Sequence, residues 1–116
     1  MLLLPIVFLL NTSPVVAYYT NMPASVVIGQ PDFSSSAANQ GGSTAANTLS
    51  TPRYAMIAEG KLFVMDGGNN RVLIWNKVPT QNGIAADVVI GKTSFTDGST
   101  QTCAANIFNP ADGQIL

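Results

Sequence analysis

The most polar stretch of the chain is Asp66-Gly67-Gly68-Asn69-Asn70-Arg71, where a carboxylate, two amides and a guanidinium fall within six residues. Two chemistries are open to such a cluster. Its oxygens could hold a cation or a polar ligand. Alternatively, the carboxylate could accept backbone N–H bonds of a tight turn while Arg71 pairs with it or with carbonyls. The spacing does not fit an EF-hand, because Gly68 stands at the third ligand position. The structural reading is therefore preferred, with Asp66, Gly68, Asn69, Asn70 and Arg71 forming a turn motif. No other grouping resembles an active site. Asp32, Asp87, Asp97 and Asp112 are not spaced as a carboxylate pair. No serine, Ser34-Ser35-Ser36 included, stands in a nucleophile elbow. Cys103 has no basic neighbour in sequence to lower its pKa and reads as a small buried or loop residue. Trp75 reads as a packing residue rather than a binding platform.

Composition narrows the chemistry further. The chain has no histidine, which removes the commonest general base and the commonest metal ligand. Its single cysteine excludes an internal disulfide. Only 9% of its 116 residues are charged, against roughly 25% in an ordinary soluble protein. The net charge is −1, with five scattered Lys and Arg, which gives no electrostatic handle for nucleic acid or an anionic membrane. Catalytic residues, a metal site and a cofactor are not expected. The 47% of apolar residues suffices for a core, and the polar share in Asn, Gln, Ser, Thr and Gly fits a turn-rich all-β chain.

The elements that must position the polar cluster recur along the chain. Ala24-Ser25-Val26-Val27-Ile28-Gly29-Gln30 returns 62 positions later as Ala86-Asp87-Val88-Val89-Ile90-Gly91-Lys92, and Phe33 returns as Phe95 at the same offset. Ala46-Asn47-Thr48-Leu49 resembles Ala105-Asn106-Ile107-Phe108, and Pro52 corresponds to Pro110. A third echo links Val7-Phe8-Leu9-Leu10-Asn11, then Pro14, to Val72-Leu73-Ile74-Trp75-Asn76, then Pro79.

One complete unit, about residues 50–91, reads as four strands: 53–58, 61–66, 71–76 and 87–91. The reversals between them are Glu59-Gly60, a tight turn over Gly67-Gly68-Asn69-Asn70, and a loop over 79–83. Glycine and asparagine tolerate positive φ, which explains their use there. Leu62-Phe63-Val64-Met65 and Val72-Leu73-Ile74-Trp75 are unbroken apolar runs rather than alternating ones. A sheet with one wet face should alternate, so both faces are expected to be covered. Hairpin-linked strands covered on both faces, in a unit that repeats, predict blades of a β-propeller, with a β-sandwich as the alternative.

These residues carry a family resemblance. Thr51-Pro52-Arg53-Tyr54-Ala55-Met56-Ile57-Ala58, Gly60 to Asp66 and Gly68-Asn69-Asn70-Arg71-Val72-Leu73-Ile74-Trp75-Asn76 together resemble the NHL repeat. That pattern is a Pro-led strand, a Gly turn, a strand ending in Asp and a Gly-Asn-Asn-Arg turn into a third strand. Gly29-Gln30-Pro31-Asp32-Phe33 resembles a further element of bacterial long-repeat NHL proteins. Gly67 departs from a common Ser and Met65 from a common Ala. The resemblance covers 24–116, and more weakly 6–23.

It implies four-stranded antiparallel blades of a six-bladed, TolB-like propeller, of which this chain carries under two. It also implies a non-enzymatic scaffold that binds a protein or a small ligand, bacterial and extracellular or at the cell surface, with the cytoplasm as the alternative. A rival reading is part of a propeller enzyme of lyase or lactonase type, with its catalytic residues in other blades. A weaker one is carbohydrate binding by the Asn- and Gln-rich loops. Nucleic acid is not an expected partner. Several copies of the chain could also complete one ring.

The stretch 1–23 reads either as the end of a preceding blade or as a signal or anchor segment. No positive charge precedes its apolar run, and the run is too short to span a membrane before Asn11-Thr12-Ser13-Pro14. Asn11-Thr12-Ser13 also fits a glycosylation sequon.

Overall fold

The computed structural model describes residues 17–100. The expectations placed on 1–16 and 101–116, including Cys103, Asp112, the N-terminal echo and the second copies of Leu49 and Pro52, lie outside the described residues. The architecture is all-β. Four strands, β1 (Pro52–Ala58), β2 (Lys61–Asp66), β3 (Arg71–Trp75) and β4 (Val88–Ile90), form one antiparallel sheet in the order β1-β2-β3-β4. Each strand sits within a residue or two of its expected place. No helix among the described residues is long and apolar enough to cross a membrane.

The reversals use two different physical devices. Between β1 and β2, Glu59 and Gly60 both have positive φ, 50° and 74°. Two left-handed residues in succession turn a hairpin with the twist that its strands require. Between β2 and β3 the chain makes a 3-10 turn over Gly67–Asn69 and closes on Asn70, at φ 53°. Here the expected use of glycine needs correcting. Neither Gly67 nor Gly68 is left-handed. Gly68 is required because the Ser50 backbone presses on it, whereas Gly67 faces only the flexible, exposed Arg53 side chain. A Cβ on Gly68 would lie 2.6 Å from the Ser50 carbonyl oxygen, and one on Gly67 would lie 2.8 Å from Arg53 Nε.

Register assigns the faces, because neighbouring residues along a strand point to opposite sides. Val64 pairs with Leu73, Leu62 with Trp75 and Leu73 with Val89, which places these five on one face. Leu49 and Ala86 join Leu62, Val64, Leu73 and Trp75 in the core, and Ile28, Val89 and Phe95 pack against it. The covering layer is the irregular segment 28–50, which contains a short left-handed turn at Asn39 and Gln40. Its own polar bonds shape it: Gln40 Nε2 donates to the Asn47 carbonyl at 2.9 Å, and Asn39 N–H donates to the Leu49 carbonyl at 2.9 Å.

The opposite face carries Tyr54, Met56, Phe63, Met65, Val72, Ile74, Val88 and Ile90. Of these only Ile74 is buried. Tyr54 is 74% exposed, Met56 59% and Met65 43%. Coverage of both faces was expected from the unbroken apolar runs, and among the described residues only one face is covered. The reason is geometric. Segment 28–50 can lie on one side of the sheet only, and Phe63, Met65 and Val72 point away from it.

The internal repeat is visible in the backbone. Gly29 and Gly91, 62 positions apart, both adopt left-handed φ, 83° and 90°. Gln30 Nε2 donates to the Ala37 carbonyl at 2.9 Å, and Lys92 Nζ donates to the Ser99 carbonyl. Both pairs span seven residues, and both ends of the second pair lie 62 positions after the first.

Candidate functional site

The polar turn becomes a buried clamp. Asp66 ends β2 and Arg71 begins β3, paired across the ladder in register. Both side chains are fully buried, and Arg71 Nε donates to Asp66 Oδ2 at 2.8 Å. Charges without water need hydrogen-bond partners besides each other, and here both carboxylate oxygens and all three guanidinium nitrogens have them. Asp66 Oδ2 also accepts Asn69 Nδ2 at 2.7 Å, and Oδ1 accepts the Ser50 N–H at 2.7 Å. Arg71 uses its remaining nitrogens on carbonyls: Nη1 on Phe95 at 2.6 Å, and Nη2 on Ala45 and Thr48, each at 2.8 Å.

Asn69 extends the network by 30 residues. It forms a reciprocal amide pair with Asn39, at 3.1 and 2.9 Å, and accepts from Thr44 Oγ1 at 3.2 Å. Asn70 supplies the left-handed residue that closes the turn. The carboxylate thus takes its backbone bond from Ser50 in the covering layer rather than from the turn. Sequence reasoning had no signal for that partner, nor for Asn39 and Thr44. Gly68 was the hint, since its missing side chain makes room for the approach of Ser50.

The arrangement fixes three segments to one another: the covering layer at 45–50, the β2–β3 turn, and the loop carrying Phe95. It leaves Asp66 no oxygen without a partner for a cation. No group of three or more histidine, cysteine, aspartate or glutamate side chains that could hold a metal ion lies among the described residues.

The other aspartates serve local turns. Asp32 Oδ1 accepts from Ser34 N–H, Ser35 N–H and Ser35 Oγ, each within 2.9 Å. These bonds, the Ser35 hydroxyl first, hold its carboxyl below the ordinary aspartate range. Asp97 is pulled down further, by Ser99 first and then by Thr93. Asp87 Oδ2 accepts the Asn76 N–H at 2.7 Å. The structure brings none of these three together with Asp66 as a site. Trp75 is packed in the core, with its indole N–H donating to the Ile84 carbonyl at 2.9 Å. A shallow cleft of about 600 Å³ lies over the β3–β4 connection, bordered by Asn76, Lys77, Pro79, Ile84 and Asp87. It is wide open to solvent, and its one bonded carboxylate is spent on the backbone. Compared with models of known protein families, with curated proteins and with solved structures, the chain matches none.

Proposed function

We propose that the chain is a structural repeat of NHL-like β-propeller type that serves as a non-enzymatic binding scaffold, extracellular or at the cell surface. One observation carries the reading. The most reactive-looking residues, Asp66, Asn69 and Arg71, are consumed in bonds that pin the covering layer and the Phe95 loop to the sheet. A polar cluster spent in this way gives rigidity and no chemistry, which suits a scaffold that presents loops to a protein or small ligand. The repeated Gly29/Gly91 and Gln30/Lys92 geometry supports tandem units of one design.

A thermal melt with and without calcium tests the reading. A ligand that binds only the folded state raises its melting temperature. The scaffold reading expects no shift at millimolar calcium, and a large drop in melting temperature on Asn69→Ala in either buffer. A calcium-dependent rise that Asn69→Ala abolishes would make the clamp a ligand site and overturn the reading.

A further inference from the structure

The open face of the sheet and its covered side are linked through the sequence repeat. Ile28 packs against the core on the covered side, and its neighbour Gly29 is pressed so closely on Leu49 that a Cβ there would lie 2.6 Å from Leu49 Cγ. Ile90 and Gly91 are the counterparts of Ile28 and Gly29, in the same backbone conformation at the glycine. Yet Ile90 pairs with Val72 and so stands on the open face of its own sheet. A residue that meets a covered side in one copy of the element therefore lies on an open face in the other. Repeating that relation places the covered side of one unit against the open face of the next.

We propose that the open face is an interface for a second copy of this chain, stacked covered side to open face. Ile90 and Gly91 of the first copy take the seat against the second copy's Leu49 that its own Ile28 and Gly29 otherwise hold. The inference rests on the stacking-repeat reading above. The chemistry of the face fits such a partner. Tyr54, Met56, Phe63, Met65 and Val72 carry no charge, and a net charge of −1 sets little repulsion between copies. The second copy's Val26–Gly29 must give way to Val88–Gly91 of the first, while Phe95 stays in its own core, gripped by Arg71. The two share Val-Val-Ile-Gly, so the exchange replaces like with like. Such a contact is heterologous, so it leaves one open face and one covered side free at its ends.

Light scattering on the full chain over a range of concentrations tests this, with Met65→Arg as the probe. Met65 is exposed, and the buried Trp75 reports by its emission whether the variant has folded. Val88→Lys, on the same face, replaces it if Met65→Arg does not fold. The wild type is expected to exceed the mass of one chain as concentration rises, and Met65→Arg to remain at one chain. Mixed in equal amounts, Met65→Arg should shorten the wild-type assemblies, because its intact covered side adds to one end and stops growth. Hydrogen exchange at the Val26–Ile28 amides should accelerate on assembly.

Wild-type dimers that Met65→Arg neither forms alone nor joins when mixed would mean face-to-face pairing and overturn the proposal alone. Assembly of Met65→Arg equal to that of the wild type would do the same. A wild type that stays at one chain, with a single cooperative melt, would overturn both the proposal and the stacking-repeat reading.

Discussion

Residues 26–33 and 88–95 are nearly the same peptide, and they lead different lives. In the second copy Val88–Ile90 are a strand paired with β3, and Phe95 packs against the core. In the first, Val26–Ile28 belong to no strand, and Phe33 is 57% exposed. What the copies share is local: the left-handed glycine and the side chain that reaches a carbonyl seven residues on. What they do not share depends on a neighbour. The second copy has a sheet with a free β3 edge beside it and Arg71 to grip its loop. Local sequence therefore sets the shape of the element, and the surrounding sheet decides whether it becomes a strand.

The largest expected effect comes from removing the grip. Arg71→Ala strands the buried Asp66 carboxylate and frees the Phe95 carbonyl. Breaking a buried pair in this way costs about 3–5 kcal/mol. Urea unfolding should register that loss, and the amides of Val88–Ile90 should then exchange as freely as those of Val26–Ile28. Retained protection at 88–90 would show that strand pairing, rather than the guanidinium, separates the two copies.

The next effect is a contrast between two identical truncations. Phe95→Ala removes a half-buried ring from the core and should cost about 1–3 kcal/mol. Phe33→Ala removes an exposed one and should stay within about 0.5 kcal/mol of the wild type. Equal losses in paired denaturation curves would mean that Phe33 is buried in solution.

The smallest effect separates the copies by acid. Asp32 and Asp97 both titrate below the ordinary aspartate value of about 3.9. A depressed folded pKa contributes stability that is present above the ordinary value and is lost as pH falls through the folded one. The hydroxyl-capped turns should therefore hold at neutral pH and release only in acid. Asp97 is held lower, so the Ser34 and Ser35 amide resonances should move at a higher pH than that of Ser99.

Much of the sheet was legible in the sequence, because its cues are local. Glu59-Gly60 marks a hairpin, and Val-, Ile- and Leu-rich runs mark β2 and β3. The turn at Asp66 was legible as a turn, but its partners were not. Ser50, Asn39 and Phe95 lie 16 to 30 residues from the positions they serve, in segments without periodicity. The unbroken apolar run Leu62-Phe63-Val64-Met65 was also ambiguous. It records that both sides of β2 favour apolar contact, and cannot say which side the chain's own covering layer will take.

The span of the Arg71 bonds has a consequence for how the chain acquires its structure. One guanidinium is completed by acceptors 23 and 26 residues before it and 24 residues after it. Closing such loops loses entropy before the bonds form, so the clamp belongs late on the folding path, after the local hairpins. The stretch that holds all of the Arg71 bonds runs from Ala45 to Phe95. It straddles the sequence repeat instead of coinciding with one copy, so a cut at the repeat boundary would sever the clamp, while the period in the sequence marks only where similar peptides recur.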